Sequence, residues 1–223
     1  SMDLTTGWDF NIDGHRRLAW QRVKEESPYV LVGSPPCTYF SVLQELNKAA
    51  HGDKPGWLDK FNTEKAKAIK HIEFCCALYK YQLQQGRHFV HEHPWTARSW
   101  ALPCVQKLLD HPSVEITQAH MCRFMMTTHV DKKDGEVGLV KKPTGFMTSS
   151  HCILKQLDRK CTEDHVHVPL MGGRAAGAAI YPQMLCEAVC RGIAEQKKYD
   201  QKHAVVSTGR MNHTQVRNMV GHL

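Results

Sequence analysis

The stretch that most constrains this 223-residue chain is Tyr29-Val30-Leu31-Val32-Gly33-Ser34-Pro35-Pro36-Cys37-Thr38-Tyr39-Phe40-Ser41. The aromatic and aliphatic run at its start predicts a buried strand. Gly33 and Ser34 break that run. The two prolines then bar an immediate helix, because each lacks an N–H, fixes its own φ and restricts the residue before it. The chain therefore leaves the strand as a stiff loop with one thiol at its tip. In open α/β sheets, ligands bind in the crevice beyond the carboxyl ends of strands. Free cysteines are mostly small buried hydrophobes, and the chain has nine. Its setting makes Cys37 a candidate nucleophile.

The flanking segments read as an α/β domain. Asn11 or Asp13 caps a helix through Arg16, Leu18, Ala19, Trp20 and Val23, which ends at Ser27-Pro28. Residues 42–63 are polar and irregular, with a turn at His51-Gly52-Asp53-Lys54-Pro55-Gly56, and suggest a mobile lid. An amphipathic helix is predicted from Thr63 to Gln85, closed by Gly86, followed by a short strand His88-Phe89-Val90-His91-Glu92. If that strand neighbours the first, Glu92 stands at its carboxyl edge beside Cys37. Residues 94–110 read as a second helix, Val114-Glu115-Ile116-Thr117 as a strand, residues 131–136 as a charged hairpin turn, and residues 141–148 as a strand entering the core. Lys141 and Lys142 suit a phosphate backbone or a solvated face. A last helix carries Met184, Leu185, Ala188, Val189 and Ile193 inward, and 196–223 reads as a basic polar tail.

Cys161-Thr162-Glu163-Asp164-His165-Val166-His167 offers three ligands of the type Zn²⁺ accepts, Cys161, His165 and His167. Zinc takes four in a tetrahedron. Cys122, Cys152 and His151 are each candidates for the fourth, and the spacing matches no standard finger. A His-rich surface loop is the alternative.

Pro-Pro-Cys-Thr-x-Phe-Ser around Cys37, with Glu92-His93-Pro94 ending the next strand, resembles the Pro-Pro-Cys-Gln-x-Phe-Ser and Glu-Asn-Val motifs of the cytosine carbon-5 DNA methyltransferases. Over residues 3–193 the chain is similar to a divergent branch of that family embedded in retrotransposon-type polyproteins, which shares Gln-x-x-x-Cys and Cys-x3-His-x-His. The resemblance implies a three-layer, mostly parallel α/β sheet, a truncated Rossmann-like methyltransferase fold spanning 1–195, with a zinc-stapled recognition region at 118–170. It implies Cys37 as the nucleophile that adds to carbon 6 of a flipped cytosine, Glu92 as the acid at ring nitrogen 3, and Arg123 as a polarising cation. It implies S-adenosylmethionine held by Asp3, Pro35 and Gly177, zinc held by Cys122, Cys161, His165 and His167, and DNA as partner. The family's opening motif Asp-x-Phe-x-Gly-x-Gly has no counterpart here, and Ala178 stands where the family has an asparagine. The expected alternatives are an N-terminally trimmed piece of a larger enzyme and a degenerate, zinc-containing nucleic-acid-binding module. A Cys37-dependent hydrolase ranks behind both.

The formal net charge of +7, with 15 histidines besides, suits a polyanionic partner. An odd cysteine count with no regular framework points to a reducing compartment, cytosol or nucleus, rather than a secreted disulfide scaffold. No apolar run is long enough to cross a bilayer. An exposed sheet edge is expected to be covered by a homodimer or by the C-terminal tail.

Overall fold

A computed structural model describes residues 1–130, 135–171, 173–175 and 177–209, the last six as backbone only. Four strands form one sheet: β1 (Val30–Gly33), β2 (His88–Pro94), β3 (Glu115–His120) and β6 (Pro143–Thr148). Their spatial order is β1-β2-β6-β3. The fold is α/β as expected, but the sheet is mixed. β1 and β2 pair in parallel, whereas β6 lies antiparallel between β2 and β3. The reason is local. His120 at the end of β3 pairs with Pro143 at the start of β6. The chain between them makes a hairpin excursion, β4 (Thr127–His129) with β5 (Val137–Leu139), and returns to the end it left. Antiparallel pairing needs no crossover helix, and none is present there among the described residues. The central residues of the expected charged turn, 131–134, lie outside the described residues.

Alternating side chains send two cores to opposite faces, giving three layers. Phe89, Ile116 and Met147 pack with Ile72, Cys76 and Tyr79 of α3 (Trp57–Gln84) and Val105 and Leu108 of α4 (Pro103–Leu109). Val90, Ala119 and Phe146 pack with Ile153 and Leu157 of α5 (His151–Leu157) and Leu185 and Ala188 of α6 (Gln183–Gly209). Burial of each such large side chain contributes roughly 1.5–3 kcal/mol relative to exposure.

Two regions differ from expectation. The supposed lid at 42–63 is mostly helical, with α2 (Gln44–His51) followed by an α3 that begins at Trp57 rather than Thr63. Trp57 stacks on Phe61, one turn on, with ring centroids 5.3 Å apart, which extends the helix N-terminally. α2 buries none of its residues, so it rests lightly on the domain. The tail expected from 196 is the continuation of α6. Gln196 is buried and accepts from Ser150 Oγ at 2.8 Å; Asp200 accepts from Tyr29 Oη at 2.6 Å, next to β1. The described part of this segment is thus fastened to the sheet, and residues 210–223 lie outside the description. α5, capped by Ser150, was not foreseen. Among the described residues, no helix is long and apolar enough to cross a membrane.

Candidate active site and Cys/His cluster

β1 and β2 run side by side with Gly33 opposite His91, so their carboxyl ends open onto the same edge. Past Gly33 the loop turns at Ser34-Pro35-Pro36 and folds a short 3-10 turn, Thr38–Phe40, whose Phe40 N–H donates to Cys37 O at 3.0 Å. Phe40 is buried and anchors the turn. Cys37 is left half-buried.

Glu92, one residue beyond the last β1–β2 pair, is 6% exposed. It lies on the same face of β2 as Val90. Two hydroxyls hold it: Ser34 Oγ and, at 3.1 Å, Tyr181 Oη both donate to Oε2. Burial and the Glu92 charge keep the Tyr181 phenol protonated, so it remains a donor. Among the described residues no hydrogen bond occupies Oε1. Cys37 stands on the loop that leaves the same edge. Burial pushes its thiol pKa up, the Glu92 charge adds to that, and the Lys142 ammonium acts in the opposite sense. The three side chains therefore share one field.

Lys142 reaches this space at a conformational cost. Its φ of 27° is positive although a proline follows. Backbone outliers of this kind cost about 1–3 kcal/mol and cluster at functional sites. Its ammonium donates to Ala178 O at 2.7 Å, tying β6 to the segment that carries Tyr181.

A buried polar layer supports the loop from the other face. His93 Nε2 donates to Pro35 O at 3.1 Å, and because a carbonyl only accepts, Nε2 carries the proton. Nδ1 is then free to accept from Ser99 Oγ. Burial pushes the His93 pKa down to about 4 and that of His91 to about 3, so both rings are neutral at pH 7. His91 Nδ1 meets Tyr79 Oη at 3.2 Å. That hydroxyl also explains Gly33: a Cβ there would lie 1.9 Å from it.

The other expected residues lie differently. Arg123, on the 3-10 turn after β3, donates to Thr162 Oγ1 at 3.3 Å, within the Cys161 loop. The cation acting on Cys37 is Lys142. Asp3 caps the 3-10 turn Leu4–Thr6, accepting from Ser1, Thr5 and Thr6, and those bonds pull its pKa to about 2. Pro35 O is taken by His93. A Cβ on Gly177 would meet nothing within 4 Å, so no close approach requires that glycine. Of the three residues expected to hold S-adenosylmethionine, Asp3 and Pro35 thus have partners within the chain and Gly177 borders open space.

Cys122, Cys161, His165 and His167 do come together, their ligand atoms all within 4.8 Å of one another. Cys161 Sγ lies 3.6 Å from His165 Nε2 and 3.4 Å from His167 Nε2. Tetrahedral zinc, with bonds of about 2.3 Å to sulfur and 2.0–2.1 Å to nitrogen, puts neighbouring ligand atoms roughly 3.4–3.8 Å apart. His165 Nδ1 donates to Asp164 Oδ1 at 2.7 Å, leaving the Nε2 lone pair toward Cys161, the tautomer a metal needs. Glu163 N–H donates to Cys161 Sγ at 3.3 Å. The cluster joins the turn after β3 to the loop after α5, and Val168 N–H bonding Leu139 O at 2.8 Å adds β5. Of the candidates for the fourth ligand, Cys122 is the one present. His151 sits at the start of α5, with Nδ1 3.4 Å from Glu115.

Ser34, Lys142 and Tyr181 are the residues around Glu92 and Cys37 that motif reading missed. Ser34 was visible beside the prolines. Tyr181, in Ile180-Tyr181-Pro182, is separated from Glu92 by 89 residues and carries no local signal. Comparison with protein-family models, with curated proteins and with solved structures finds no match to this chain.

Proposed function

We propose that the chain activates cytosine in DNA for chemistry at carbon 5, as in the DNA cytosine carbon-5 methyltransferases that its motifs resemble, on a truncated relative of their Rossmann-like fold. The observation that carries this reading is the shared edge of β1 and β2, where the Cys37 thiol and a tethered Glu92 carboxylate act on the same space. Cytosine carbon 6 is a poor electrophile until ring nitrogen 3 is protonated or hydrogen-bonded. Glu92 takes the Cys37 proton through its free Oε1 and passes it to nitrogen 3 as the S–C6 bond forms. The electrons of the C5=C6 bond move into the ring, and carbon 5 becomes nucleophilic. Carbon 5 takes a solvent proton and gives up its original one. The S–C6 bond then breaks, the thiolate is expelled, and nitrogen 3 returns its proton through Glu92 to the sulfur. Lys142 stabilises the thiolate at both ends of this sequence. Ser34 and Tyr181 keep Glu92 aimed.

The direct test needs no cofactor. Cytosine in single-stranded DNA is incubated with the protein in D₂O, and deuterium at carbon 5 is read by mass spectrometry. Exchange in the parent protein and its loss in Cys37→Ala are expected. Exchange that survives Cys37→Ala, or none under any condition, overturns the assignment.

We further infer that the Cys/His cluster holds one structural Zn²⁺. All four positions would be filled by protein, leaving no open site for catalysis. The second reading, a zinc-stapled nucleic-acid-binding module without methyl transfer, is favoured by one observation. Asp3 caps its own 3-10 turn and Pro35 O accepts from His93, so two of the three residues expected at the cofactor already have partners within the chain. Titration calorimetry with S-adenosylmethionine separates the two, since heat of binding excludes the module.

A further inference from the structure

Beside the candidate site is a cleft that the chemistry at Cys37 does not use. It encloses about 190 Å³ between the Cys37 loop, α2, the first turns of α3 and Arg98. That is below the roughly 300–1,000 Å³ of pockets for drug-sized ligands. It suits one phosphate with its sugar rather than a whole cofactor. Its polar lining is cationic: Lys48, Lys65 and Arg98, against one carboxylate, Glu45, which Arg98 already binds at 2.6 Å. Its apolar wall is Tyr39, Leu58 and Phe61, with Tyr39 set edge-on to Phe61 at 5.7 Å. Lys65 Nζ lies 5.9 Å from the Phe61 ring centroid, which directs that ammonium over the aromatic wall.

The cleft is joined to the thiol loop by bonds, not merely by proximity. Tyr39 follows Cys37 by two residues, and Gln44 Nε2 donates to Thr38 O at 2.8 Å. A nucleotide whose base sits against Cys37 carries a phosphodiester to its neighbour. A cationic slot with an aromatic wall, two residues along the same loop, fits that neighbour's sugar and phosphate. Single-strand sites are built from these two elements, a positive groove and aromatic side chains.

We infer that this cleft binds the sugar-phosphate of the nucleotide adjoining the reacting base in a single or locally opened strand, with Lys48 and Lys65 as the phosphate contacts and Tyr39 and Phe61 as the wall. The assignment rests on the cytosine reading for the identity of the neighbouring base, but its test does not depend on turnover. Binding of a fluorescent single-stranded oligonucleotide to Cys37→Ser protein is followed by anisotropy across a salt series. Each single-strand phosphate contact contributes about 0.7 to the slope of log K against log salt. Both lysines face one phosphate, so Lys48→Ala/Lys65→Ala is expected to reduce the slope by about 0.7, and Phe61→Leu to weaken binding with the slope kept. Lys155→Ala/Lys198→Ala, which removes the same charge from α5 and α6, is the control. A cleft variant that binds as the parent does, a control variant that loses as much as the cleft variant, or a parent with no measurable binding overturns the inference. Deuterium exchange in Cys37-intact protein separates the two claims. Exchange with unaltered cleft-variant binding removes this site alone. A reduced slope without exchange removes the cytosine chemistry and leaves the cleft.

Discussion

Removing the metal from the Cys/His cluster should lower stability by an amount set by the loop it closes. Cys122 and Cys161 bracket a loop of roughly 40 residues, and His165 and His167 extend it slightly. Treated as a crosslink, closing such a loop removes about 13 cal/mol/K from the unfolded chain, or about 4 kcal/mol at 25 °C. For a domain of this length each kcal/mol shifts Tm by about 2–4 °C. Metal-free protein should therefore melt about 8–16 °C below the loaded form, less if the unfolded chain retains metal. The assay is circular-dichroism melting with and without a strong chelator, alongside elemental analysis for one equivalent of zinc. Cys161→Ser should lose the metal, reproduce the shift and no longer respond to the chelator. A metal-free protein melting within about 2 °C of the loaded one would refute the reasoning, as would a chelator effect that persists in Cys161→Ser.

Other outcomes follow from the layer around Cys37. Gly33→Ala should destabilise by at least the 1–3 kcal/mol of an overpacked core, since its Cβ would fall 1.9 Å from Tyr79 Oη; in a urea-melt double-mutant cycle, Tyr79→Phe should recover part of that loss, and additivity would sink the clash argument. Because burial depresses the His91 and His93 pKa values to about 3 and about 4, the folded state binds fewer protons than the unfolded one below pH 6.5. Stability contributed by the neutral rings should be complete above about pH 6.5 and fall as pH drops toward 4, by up to about 2.7 kcal/mol per pH unit for the pair; a flat urea midpoint across that window would contradict it. Tyr181→Phe removes a donor to buried Glu92 worth roughly 1.5–3 kcal/mol of stability, so the melting temperature should fall by about 3–12 °C and deuterium exchange at carbon 5 should slow as Glu92 loses a partner; exchange at the parent rate in folded protein would contradict the role given to Tyr181. Lys142→Met should raise the pH at which exchange reaches half its maximum, because the cation that opposes the Glu92 charge at Cys37 is gone.

Local chemistry explains which parts of this molecule could be read in advance. The first two strands and the order Pro-Pro-Cys then Glu put Cys37 and Glu92 on one edge because each strand end is signalled by its own breaker residues. The direction of β6 was not legible, since 141–148 looks the same in either orientation and only its register with Glu115–His120 decides it. Residues 42–63 looked irregular because α2 has no buried face to leave a periodic trace. His93 looked like a departure from Glu-Asn-Val, yet it bonds Pro35 and steadies the thiol loop. Spacing alone supplied three metal ligands, and the fourth, Cys122, came from the family resemblance, because the chain approaches it through tertiary structure. Lys142 was weighed only as a surface or phosphate-facing charge, and its positive φ is a property of the folded backbone.

The position of β6 has a consequence for how the domain comes into being. β2 and β3 are not paired with each other; the backbone ladder between the two halves of the sheet runs through residues 143–148. A chain that ends at residue 142 lacks the strand that pairs with both halves of the sheet, the half with Cys37 and Glu92 and the half that leads to Cys122. Lys142 stands immediately before that strand. The surroundings of Glu92 close later than the sheet does, because Tyr181 and the Ala178 carbonyl that binds Lys142 both follow β6 in the chain.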